Sequence, residues 1–95
     1  VGDLPAPGNL IASTTLYPGR IDLRWEGVKG RSAYEVYIND GDPSSESGWK
    51  LLVVTPKTRF IATSLLSNKT YAFRVVAIGP VGASPVSDVA IAKAA

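Results

Sequence analysis

Apolar residues in this chain recur at every second position within short segments, and each segment ends at a cluster of Gly, Pro, Asn or Ser. A period of two belongs to a pleated strand with one buried face and does not fit the 3.6-residue period of an amphipathic helix. The alternation is clearest over residues 70–78, where Tyr71, Phe73, Val75 and Ala77 share one face and Ala72, Arg74, Val76 and Ile78 the other. Ile21, Leu23 and Trp25 likewise oppose Asp22 and Arg24, and Tyr34, Val36 and Ile38 oppose Glu35 and Tyr37. The pattern predicts an all-β chain with strands over residues 10–14, 20–25, 34–38, 49–55, 59–63, 70–78 and 85–92. Pro5 and Pro7 before the first strand, and Pro85 in the last, remove ladder donors and place both strands at sheet edges.

Short antiparallel strands in a chain of 95 residues suit two sheets that bury their inner faces against each other. A chain this small has room for one core, so residues 1–95 are expected to form a single domain. The order Pro5-x-Pro7-x-x-Leu10, Ile21-x-Leu23-x-Trp25, Tyr34-x-Val36, Leu65 with Tyr71 six residues on, Tyr71-x-Phe73-x-Val75-x-Ala77 and Gly82-x-Ser84-Pro85 resembles the fibronectin type III domain over essentially the whole chain. The resemblance implies a seven-stranded immunoglobulin-like β-sandwich with sheets A-B-E and C′-C-F-G. It also implies a core tryptophan at Trp25 and a tyrosine corner at Tyr71, with Leu10, Tyr34 and Leu65 in the core. Gly79 stands where many members carry Asn, the F–G connection is short, and no Arg-Gly-Asp occurs, so the integrin-binding loop of one member does not carry over.

Composition removes several chemistries. With no His and no Cys the chain builds neither a Ser–His–Asp arrangement nor a redox dithiol, and it lacks the nitrogen and sulfur ligands of a zinc or iron–sulfur site. The eight carboxylates fall on loops or outward strand positions and offer no cleft holding an acid–base pair. The expectation is therefore no enzyme, no catalytic residue, no metal site and no cofactor. Asp40-Gly41-Asp42 with Glu46 is a candidate calcium loop, but its spacing does not match the twelve-residue calcium pattern, and Asn, Asp and Gly form turns unaided. Ten Lys and Arg against eight Asp and Glu give a net charge of +2, and the cations are scattered rather than striped, which argues against nucleic acid. No apolar run is long enough to span a bilayer as a helix. Asn68-Lys69-Thr70 satisfies the N-glycosylation pattern at an exposed corner.

One segment breaks the rule of a half-exposed sheet. Trp49-Lys50-Leu51-Leu52-Val53-Val54 is apolar on both faces, so apolar side chains stay outside whichever parity faces inward. With Leu52 and Val54 inward, the outer face gathers Tyr37, Trp49, Leu51, Val53, Val76 and Ile78 as a candidate partner-binding patch. Trp and Tyr are frequent anchors of such patches. The function expected is a spacer or protein-binding module in an extracellular or surface-exposed assembly. The alternatives are a self-assembling subunit of a virion or surface filament, and an accessory carbohydrate-binding module of a secreted enzyme in which Trp49 and Tyr37 stack on sugar.

Overall fold

Every alternating segment becomes a strand, because pairing satisfies the backbone while the apolar face is buried. The computed structural model describes residues 6–41, 48–80 and 82–94. Its strands are β1 (Ile11–Thr14), β2 (Ile21–Arg24), β3 (Ala33–Asn39), β4 (Lys50–Thr55), β5 (Arg59–Ala62), β6 (Thr70–Gly79), β7 (Gly82–Ala83) and β8 (Ala90–Lys93). One sheet has the order β1-β2-β5; the other runs β4-β3-β6, with β7 and β8 both pairing β6. All pairings are antiparallel, and the two sheets stack as a sandwich with the division into A-B-E and C′-C-F-G that the family resemblance implied.

The last strand departs from expectation. The sequence predicts one strand over residues 85–92, yet regular pairing breaks between Ala83 and Ala90, and the described residues hold eight strands. Pro85 cannot donate to the ladder, and the chain bulges away from β6 around it. Two serines repair the gap. The Ser84 N–H donates to the Ala77 carbonyl while its Oγ accepts from the Ala77 N–H, at 2.8 and 2.9 Å. Ser87 does the same for Val75, again at 2.8 and 2.9 Å. Buried amides of β6 that would lack partners are thereby satisfied by hydroxyls.

The core forms where the two inner faces meet. Ile21 and Leu23 from β2, Tyr34 and Val36 from β3, Phe73, Val75 and Ala77 from β6, and Ala92 from β8 are buried together. Trp25 packs its ring edge-to-face on Tyr34 at 5.6 Å and 72°, a favoured aromatic geometry. The Tyr34 hydroxyl leaves this cluster to accept the Val28 N–H at 2.8 Å and tethers the β2–β3 loop. Tyr71 forms the expected corner, its hydroxyl accepting the Leu66 N–H at 3.0 Å.

The first and last described residues lie at opposite poles. Near the first, the Gly8 carbonyl accepts the Glu26 N–H, beside the β2–β3 loop. At the last, Ala94 exchanges backbone bonds with Lys69 and Asn68 in the β5–β6 loop, at the other pole of a molecule measuring 44 × 26 × 18 Å.

Candidate functional site

The doubly apolar strand is resolved by a β-bulge. Val36 pairs with Val53, but the next residue, Tyr37, pairs with Leu51, so Leu52 is the extra residue. A bulge lets consecutive side chains lean toward one face, and both Leu52 and Val53 pack against the core. Leu51 and Val54 are left outside, each 53% exposed. Val53, expected in the outer patch, is therefore on the inner side opposite buried Val36, and Val54 takes its place. A single parity cannot describe this strand, because the bulge reverses it midway.

The other expected residues lie on the outer face in rows set by the register. Leu51, Tyr37 and Arg74 form one cross-strand row, and Val54, Glu35 and Val76 the next. Ile78 is half-buried, between Ala33 and Ala83. Val76 is only 7% exposed, so it belongs to the packing beneath the face and not to its contact surface. Trp49, just before β4, is half-buried, and the Arg74 guanidinium lies 4.4 Å from its ring centroid. A cation over a tryptophan face is an attractive arrangement, and it covers the surface on which a flat ligand would stack. Ile91, 58% exposed and opposite Ala72, adds an apolar side chain at the far edge that alternation alone did not single out.

The polar part of the face is a short relay. The Tyr37 hydroxyl donates to Glu35 Oε1 at 2.9 Å. This hydrogen bond holds the Tyr37 hydroxyl above its ordinary pKa; burial and the Glu35 charge act in the same direction, and Arg74 opposes them. Tyr37 thus stays a neutral donor near neutral pH.

Asp40 pairs with Lys69 at 3.3 Å, and this hydrogen bond and charge hold its carboxyl below the ordinary range. Asp42 and Glu46, the other members of the calcium expectation, lie outside the described residues. Among the described residues no three His, Cys, Asp or Glu side chains gather into a metal-holding group. No helix among them is long and apolar enough to cross a membrane. Asn68 is exposed with φ +65, in the β5–β6 corner where the glycosylation pattern was placed.

Two antiparallel sheets divided in this way, closed by a tyrosine corner and cored by Trp25, define an immunoglobulin-like β-sandwich. The chain has the fibronectin type III fold. It superposes on the crystal structure of FN3tt with a TM-score of 0.86 at 24% identity, covering 99% of this chain and 97% of that one. For an Fn3-like protein from Clostridium thermocellum the TM-score is 0.87 at 17% identity, covering 99% and 96%. A β-1,2-glucanase from Parabacteroides distasonis is similar over 99% of this chain but 13% of its own, with a TM-score of 0.83 and 21% identity. No family model matches the sequence, and no curated protein does.

Proposed function

We propose that the chain is a non-enzymatic connector and protein-contact module of a larger extracellular or surface-exposed assembly. The observation that carries this reading is the placement of the first and last described segments, at Gly8 and Ala94, at opposite poles of a 44 Å molecule, an arrangement that suits domains strung in series. The occurrence of the same fold as 13% of a glucanase chain, and as 32% of a titin A168–A170 fragment, supports a modular role. The experiment is small-angle scattering on two copies joined head to tail without a linker. A maximum dimension near twice that of the single chain is expected; a tandem little longer than one copy removes the connector reading.

A second reading, a self-associating subunit, draws support from β4, an edge strand whose outward Leu51 and Val54 are half exposed. Light scattering over a concentration series decides it. Oligomers that disappear in Leu51→Lys/Val54→Lys favour the subunit, and a monomer throughout discards it. Carbohydrate stacking is the weakest reading, because Arg74 already covers the Trp49 ring.

A further inference from the structure

On the opposite sheet, an open cleft of about 860 Å³ runs along the outer face of β2 and β5 to the β4–β5 turn. Arg24, Lys57 and Arg59 line it, with Asp22 as its one carboxylate among the described residues. Among the described residues none of these four takes part in an ion pair. Arg24 and Arg59 are direct cross-strand partners on one face. Like charges so placed repel, so the fold carries a local cost that an anionic ligand would relieve.

Among the described residues nothing pairs with the outer backbone edge of β5 beside these cations. β5 is the end strand of its sheet. The Trp25 N–H donates to the Thr58 carbonyl, so Trp25 and Thr58 are a hydrogen-bonded pair of the β2–β5 ladder. Antiparallel pairs alternate, which makes Leu23 with Phe60, and Ile21 with Ala62, hydrogen-bonded pairs as well. Arg59 and Ile61 lie between them, and their N–H and C=O groups point away from β2 toward the open edge. Their side chains point into the cleft, where Ile61 is 45% exposed.

We propose that this edge binds an acidic, extended polypeptide segment that adds to β5 as an antiparallel strand. Directly opposed residues share a face, so the segment's side chains opposite Ile61 and Arg59 fall in the cleft in that order, and the one two places further on reaches the β4–β5 turn, where Lys57 lines the cleft. The sequence recognised is therefore apolar-x-acidic-x-acidic. Main-chain hydrogen bonds supply the docking, and the carboxylates on Arg59, Arg24 and Lys57 supply the selection. A nucleic acid or sulfated chain fits less well, since it cannot satisfy the Arg59 and Ile61 backbone and would meet Asp22.

The test is an amide-resolved NMR titration of the whole chain. The probes are a blocked octapeptide with an apolar residue followed two and four places on by glutamates, its shuffled counterpart, and a single-stranded oligonucleotide. Saturable binding of the first peptide is expected, with slowed hydrogen exchange at the Arg59 and Ile61 amides. Arg59→Glu should weaken it by about tenfold or more, from loss and reversal of a charge-assisted contact. Arg59→Thr, which removes the Arg24 repulsion, should weaken binding while leaving thermal stability equal or higher. Three results overturn the proposal: no saturable binding, equal binding of the shuffled peptide or oligonucleotide, and binding without slowed exchange at those two amides.

Discussion

Gly19 lies at the β1–β2 turn with φ +71, and a Cβ placed on it would sit 2.6 Å from the Leu65 carbonyl oxygen. Gly19→Ala therefore meets two costs. The left-handed backbone costs an alanine roughly 1–2 kcal/mol. The obstacle is backbone, so relief means moving the β1–β2 turn away from residue 65, which stretches the 3.1 Å bond from the Leu65 N–H to the Gly19 carbonyl. Losing that bond adds about 0.5–1.5 kcal/mol. The smaller entropy of the unfolded alanine chain offsets about 0.4–1 kcal/mol. The net expectation is a loss of about 0.5–3 kcal/mol, measured from the urea midpoint at unchanged m. For a domain of this size that corresponds to a fall in Tm of very roughly 4–8 °C per kcal/mol. Gly27→Ala is the matched control: its Cβ would meet Thr58 and Tyr34 at ordinary distances of 3.5 and 3.6 Å, with no positive φ. Equal stability of the two variants would refute the reasoning.

Ser87→Ala leaves the buried Val75 N–H without its hydroxyl acceptor and should cost about 1–3 kcal/mol in urea unfolding, whereas an exposed Ser13→Ala should be near neutral. Tyr37 should ionise above its ordinary value of 10.0 in a tyrosinate absorbance titration, and Glu35→Gln should lower that pKa. Because the folded pKa is raised, the associated stabilisation is present below pH 10.0 and is lost as pH rises through the raised value; a Tyr37 titrating at its ordinary value would contradict it. Tyr71→Phe removes the acceptor of the Leu66 N–H and should lower stability by about 1 kcal/mol, with local exchange at the Leu66 amide rising first.

The division of labour between the sheets has a physical logic. Strands β1 and β8 close one side of the sandwich, helped by the Thr14 hydroxyl donating to the Lys93 carbonyl at 2.8 Å. The other side exposes the edges of β4 and β5, and it is there that the apolar pair Leu51 and Val54 and the cationic cleft are found. Exposed edges are sites of pairing with other chains, and charge on an edge restricts which chains can pair.

Alternation along the chain determined the inward sets of β2, β3 and β6, since a one-residue error would turn each whole set to water. The corner at Tyr71 came from the family resemblance rather than from periodicity, and the prolines located the edges. Composition limited the chemistry before any coordinate was needed. Three things were decided only by the tertiary structure. A bulge at Leu52 chose among four consecutive apolar residues that local pattern ranks equally, turning Val53 in and Val54 out. Ser84 and Ser87 became ladder partners because β6 presented amides that the proline-interrupted strand could not meet. Arg24 and Arg59, distant in sequence and unremarkable there, became neighbours through the β2–β5 register. Sequence periodicity reports which face a residue occupies; only strand pairing sets which residues meet on it.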